Sequence, residues 1–114
     1  MSKMFKLLIS DYKVKVQGGG EGELAYDVVG SIGILLFHQD LRLNGRELLQ
    51  NGTLFSKIEA SKEGGEDFVF LSDDEYSRLK RVLDLKVFGK NEIELVKRIQ
   101  DCEEVEVDIK EKEA

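Results

Sequence analysis

Two residue types supply most of the general bases, nucleophiles and metal ligands in proteins, and this sequence holds one of each, His38 and Cys102. Asp40, two residues beyond His38, is the carboxylate that would orient a general base. On a helix such near neighbours point away from one another, so the geometry for that pair is poor. The plainer reading is a histidine at a helix end, favoured by the negative pole of the helix. Cys102 falls on the apolar stripe of the last helical segment. Its neighbours Asp101, Glu103 and Glu104 oppose ionisation, so it reads as a small buried apolar residue and not as a nucleophile.

Other groupings carry less. Asp73-Asp74-Glu75 could ligate a divalent cation. Consecutive acids at a helix start already complement its positive end, and the calcium-loop spacing with its central glycine and final glutamate is missing. Gly18-Gly19-Gly20-Glu21-Gly22 fails the dinucleotide-loop spacing, no Gly-Lys-Ser/Thr follows, and Glu21 and Glu23 would repel phosphate. Arg78, Lys80, Arg81 and Lys86, followed by Lys90, Lys97 and Arg98, lack the interleaved aromatics of a base-stacking platform and read as solvated helix faces. Asn51-Gly52-Thr53 has the form of a glycosylation acceptor, which means nothing without a secretion signal. The sequence therefore assigns no catalytic, cofactor-binding or metal-ligating residue. It reads as a protein that is not an enzyme, carries no cofactor and acts through its surface.

The frame for that surface is one small domain over residues 1–114, 41% apolar, with a modest core. At 35% charged, with 23 carboxylates against 17 Lys and Arg, the chain is densely ionic and acidic, which disfavours nucleic acid. No apolar run approaches the roughly 20 residues that span a bilayer. The opening MSKMFKLLIS is too short for a secretion signal, and one cysteine forms no internal disulfide. The expected setting is the cytoplasm of a bacterium or of an infected cell.

Phe5 to Val16 read as strand, with Phe5, Leu7 and Ile9 in one phase, Tyr12, Val14 and Val16 in the other, and a bulge or bend at Ser10-Asp11. The flexible loop 17–23 closes an antiparallel hairpin onto a returning strand, Leu24 to Val29. Ser31 to His38 fits either a short helix capped by Ser31 or a buried strand; the helix is preferred, because a segment with its own helix start follows. A helix begins near Asn44, Asn51-Gly52 breaks it as a turn, and Thr53 caps a second helical stretch. Residues 61–66 form a second flexible loop, and Asp67 to Leu71 a short apolar strand. Ser72 caps the next helix with Glu75 as its capping-box partner and Leu71 and Tyr76 at the staple positions. Gly89 stops that element. Asn91 starts the last helix, with Ile93, Leu95, Val96 and Ile99 inward. Val105, Val107 and Ile109 alternate with acids as a closing strand, and residues 110–114 form a frayed tail.

The ends of the chain carry opposite charge. Lys3, Lys6, Lys13 and Lys15 stand against Asp11 in residues 1–20, and seven acids stand against Lys110 and Lys112 in residues 100–114. Opposite charges across a strand pair contribute about 0.2–1 kcal/mol each. The terminal strands are thus expected near each other, unless both charge runs are simply solvated faces. Pairing of residues 12–16 with some other strand, far from 104–109, would end the idea.

The stretches LFHQDLRLNGRELL (Leu36 to Leu49) and FGKNEIELVKRI with the later EVEV (Phe88 to Val107) resemble small uncharacterised proteins of tailed phages and prophages. The resemblance carries no functional motif. It implies a virion or assembly accessory protein, typically oligomeric.

The expected fold is α+β: a β-hairpin, central helices, then strand–helix–helix–strand, with the helices packed on one face of a small antiparallel sheet whose strand order is open. Bare edges and any uncovered apolar face predict a homo-oligomer, formed through sheet edges or helix faces, with a protein partner and no membrane. Two function classes follow. One is an interaction or assembly protein with a solution mass that is a multiple of 12.9 kDa. The other is an acidic inhibitor or regulator of a basic host surface, mimicking nucleic acid, with carboxylates gathered on one face and salt-sensitive binding. His38 in a cleft beside a second titratable group would point instead to an enzyme.

Overall fold

A computed structural model of the chain describes residues 2–15 and 22–107. The fold is α+β. Its elements are β1 (Ser2–Leu8), β2 (Tyr12–Lys15), β3 (Glu23–Tyr26), α1 (Val28–Leu36), α2 (Gly45–Glu63), β4 (Phe68–Leu71), α3 (Asp73–Lys80), α4 (Ile93–Gln100) and β5 (Glu103–Val107). Short 3-10 turns cover Gln39–Leu41, Arg81–Asp84 and Lys90–Glu92. The strands make two antiparallel sheets, one ordered β4-β1-β5 and one a hairpin of β2 and β3. Residues 17–21 of the glycine-rich loop and the tail 110–114, with Asp108 and Ile109, lie outside the described residues. Among the described residues no helix is long and apolar enough to cross a membrane.

The phase change at Ser10-Asp11 marks the place where the chain leaves one sheet for the other. Two ties turn it there: the Ile9 amide donates to the Asp67 carbonyl at 2.8 Å, and the Asp11 carboxylate accepts from the Val28 amide at 3.1 Å. Beyond the turn, β2 pairs with β3 through the hairpin. The terminal strands do meet: Lys3 lies opposite Glu106 and Lys6 opposite Glu103. The charge reasoning fails for the other two lysines, since Lys13 lies opposite Ala25 and Lys15 opposite Glu23. A short local connection outcompetes a distant acidic strand, because closing a short loop costs less chain entropy.

Residues 31–36 are helical, but the helix starts earlier than Ser31. Asp27 is the cap and accepts from the Gly30 amide at 3.0 Å, so the returning strand ends at Tyr26. The turn expected at Asn51-Gly52 is absent, and α2 runs unbroken for 19 residues. Asn51 is only 3% exposed, and its Nδ2 donates to the Leu36 carbonyl at 2.8 Å, satisfying an orphan acceptor at the end of α1. Thr53 bonds back to the Leu49 carbonyl instead of capping. Residues 61–63 of the second expected loop belong to α2, and the chain turns only at Gly64-Gly65, where Gly65 has φ +83°. The Ser72–Glu75 capping box forms as expected. The next helix ends at Lys80 and continues to Asp84 as a 3-10 turn, short of Gly89. The last helix is entered through Gly89, whose amide donates to Glu92 at 2.7 Å, and Ile93 faces outward, 54% exposed.

The core lies between the helices and the inward side of β4-β1-β5. Leu7, Ile9 and Leu71 on the strands meet Ile32, Leu36, Leu54, Ile58, Leu79, Leu95 and Ile99 on the helices, all buried. Gly33 makes α1 and α2 fit. A Cβ there would stand 2.6 Å from Cζ of Phe55.

Candidate interaction surface

Strand periodicity builds this surface. In β1, Phe5 and Leu7 point into the core, with Ile9 buried just beyond the strand, so Met4, Lys6 and Leu8 point out. β4 is apolar at every position: Val69 and Leu71 are buried, and Phe68 and Phe70 take the outer side. The register sets Leu8 opposite Phe68, Lys6 opposite Phe70 and Met4 opposite Val105. The outer face is therefore largely apolar across the three strands, with Lys6 in its middle and Glu103 opposite it on β5. Leu8 is 45% exposed, while Met4, Phe68, Phe70 and Val105 are half-buried. The Phe68 and Phe70 rings meet edge to face at 5.2 Å, and Lys6 Nζ sits 4.6 Å above the Phe68 ring. The helix α2 reaches only the β4 side, where Lys57 and Ser61 flank a groove of about 340 Å³. On the opposite side β5 presents Glu103, Glu104 and Glu106, all exposed.

The sequence candidates lie elsewhere. His38 Nδ1 accepts from the Asp40 amide at 3.1 Å and so caps the Gln39–Leu41 turn. With that lone pair engaged, the neutral ring carries its proton on Nε2 and offers no lone pair to a substrate proton. The ring does line a cleft of about 240 Å³ with Tyr26, Glu92 and the apolar Ile34, Val87 and Phe88. Burial holds the Tyr26 phenol above its ordinary range, the Ser31 hydroxyl opposes this, and the Glu92 charge adds to it. The Glu92 carboxylate accepts from the Gly89 amide. His38 thus stands in a cleft beside two titratable groups, the arrangement that would point to an enzyme, while its Nδ1 is held by the Asp40 amide with the Asp40 carboxylate 3.8 Å away.

Burial pushes the Cys102 thiol up to about 11; Asp101 adds to this, while the Tyr76 hydroxyl and Lys80 oppose it. Cys102 therefore stays a neutral thiol, donating to the Arg98 carbonyl at 3.1 Å. Asp74 pairs with Arg78 and Glu75 with Lys57. Burial pushes Glu75 up, but Lys57 and the Ser72 amide together hold it below its ordinary value. Among the described residues no three His, Cys, Asp or Glu side chains converge to hold a metal. The basic grouping is dispersed as ties between elements. Arg78 also reaches Gln50, Arg81 reaches Glu47 and the Leu41 carbonyl, and Arg98 reaches Glu94 and the Ser10 carbonyl. Arg98 also covers the Tyr12 ring, which stacks on Tyr26 at 4.8 Å, and the Tyr12 hydroxyl donates to the Asn91 carbonyl. These contacts anchor the base of the hairpin.

No protein-family model, curated protein or solved structure matches the chain. The outer sheet face escaped the sequence reading, although a signal for it exists. A run apolar at every position, Phe68-Val69-Phe70-Leu71, is what a strand with two apolar faces looks like.

Proposed function

We propose that this protein works by contact and not by turnover. In this reading it is a non-enzymatic interaction or assembly protein that associates with copies of itself through its three-stranded sheet. The apolar outer face of β4-β1-β5 carries the proposal. Among the described residues, folding of a single chain leaves Leu8 exposed and Met4, Phe68, Phe70 and Val105 only half-buried, and contiguous apolar patches mark contact surfaces. A second copy removes such surface from water, worth about 25 cal/mol per Å² of apolar area. The resemblance of residues 36–49 and 88–107 to tailed-phage proteins supports an oligomeric virion or assembly accessory role. The alternative, an acidic regulator of a basic host surface, draws support from β5 and from exposed Glu63, Glu66 and Asp67 at the end of α2. Elsewhere Asp11, Glu47, Asp74, Glu75 and Glu94 each sit beside a lysine or arginine, which disperses the negative charge.

Light scattering tests the proposal. The wild type should show a multiple of 12.9 kDa. Phe70→Lys sets a second ammonium opposite Lys6 on the outer face, and should return the monomer with an unchanged circular dichroism spectrum. A wild type that stays monomeric at high micromolar concentration would refute self-association.

A further inference from the structure

The hairpin and the β5 edge carry matching patterns. β2 reads Lys13-Val14-Lys15 and β5 reads Glu104-Val105-Glu106. Both lysines are exposed and share one side of β2; both glutamates are exposed and share one side of β5. The spacing is identical, so a single register brings both charge pairs and the two valines together. Among the described residues each strand is hydrogen-bonded on one side only, β2 to β3 and β5 to β1, which leaves each an edge of amides and carbonyls. Partners within the chain leave part of this charge unmet: Lys13 faces Ala25, and Glu104 faces Phe5. Among the described residues no ion pair involves Lys13, Lys15, Glu104 or Glu106.

From this pattern, and resting on the self-association proposed above, we infer that the hairpin of one copy lays β2 along the β5 edge of a second copy. Charge decides the occupant. Pairing β5 with its own equivalent sets glutamate against glutamate, and pairing β2 with its equivalent sets lysine against lysine; both are disfavoured. Of the two remaining sheet edges, β4 is flanked by α2, and β3 carries Glu23 and no lysine to meet the β5 glutamates. The arm-to-edge pairing is the one that matches. It also continues the outer apolar face, because Val14 of the second copy joins Val105 and Met4 on the same side. When each copy both gives its arm and receives one, two copies close the assembly without leaving a growing end.

Charge reversal tests the inference. An arm variant, Lys13→Glu with Lys15→Glu, should weaken self-association about tenfold or more at low salt. An edge variant, Glu104→Lys with Glu106→Lys, should do the same. Mixed one to one, the two variants should regain the wild-type mass, since every arm then meets an edge of opposite charge. The fourfold variant should regain it alone. Glu106 also faces Lys3, so circular dichroism checks that the edge variant folds. Lys15 faces Glu23, so the same check applies to the arm variant. If it keeps the wild-type mass, this docking is overturned while self-association through the outer face stands. If the folded variants fail to rescue each other, the docking is likewise overturned. A monomeric wild type overturns both proposals.

Discussion

The two faces of β1 differ in what covers them. Leu7 and Ile9 are fully buried under the helices, while Leu8, between them in sequence, is 45% exposed on the outer side. The same split runs through β4, where buried Val69 and Leu71 alternate with half-buried Phe68 and Phe70. Both faces are apolar, but the helices cover only one. Burial on the inner face holds the chain together; the outer face keeps apolar side chains that folding does not require. A covered residue should therefore matter to stability and its uncovered neighbour to association. Leu7→Ala is expected to cost about 2–5 kcal/mol, through lost transfer energy and the cavity it leaves. Leu8→Ala should cost less than about 1 kcal/mol, because it opens no cavity. Urea unfolding of the two variants measures the difference. Equal losses would mean that the outer face is as covered as the inner one.

The helical layer can be probed with two glycines in neighbouring helices. At Gly33 a Cβ would press on Phe55, with Cε1 2.7 Å away and Cζ closer still. Gly52, in the middle of α2, has nothing within 4 Å of the same atom. Gly52→Ala should stabilise by about 0.5–1 kcal/mol, the ordinary gain from replacing glycine inside a helix. Gly33→Ala carries the same gain but pays for overpacking, and a net loss of about 1–2 kcal/mol is expected. A thermal scan showing shifts of opposite sign would confirm that the α1–α2 seam is tightly packed. Shifts of the same sign would show a ring that simply moves aside.

Local features of the chain were legible where the physics was local. The Ser72–Glu75 capping box and the start of α2 at Asn44 need only residues three apart, and both form. β1 and β5 meet, with Lys3 and Lys6 facing acids, but residues 12–15 pair with β3, so the opposite charge of the two ends does not by itself account for the pairing. Asn51-Gly52-Thr53 misled because its decisive partner, the Leu36 carbonyl, lies on another helix; no periodicity within α2 announces it. Asp27 caps α1 although the alternation from Leu24 to Val29 places it inside a strand. The surface was harder to see than the fold. Leu8 and Phe70 become an apolar face only once β4 is set beside β1, and the arm pattern emerges only once β2 is known to pair with β3. What the sequence did give was the scarcity of catalytic residue types, and hence an emphasis on surfaces.

The smallest effect concerns the boundary between covered and open regions, where Cys102 leads from α4 into β5. Burial first, with Asp101 adding, raises its thiol from 9.0 to about 11. The folded state thus prefers the neutral thiol. Below pH 9 the thiol is protonated in folded and unfolded chains alike, and its contribution is fully present. As pH rises toward 11 the unfolded chain ionises first, and that contribution is lost. Tyr12, pushed up to about 12, adds a similar loss at higher pH in wild type and variant alike. Tyr76, held up by burial and by Cys102 itself, shifts with the substitution, so comparing wild type with Cys102→Ala reads the thiol together with its coupling to Tyr76. The wild type should lose more stability between pH 9 and pH 11, read as a steeper fall of the urea midpoint. Truncation itself shifts the midpoint by a constant amount, so the slope is the quantity to compare. Parallel slopes would place Cys102 with the open face; a steeper wild type places it with the covered one.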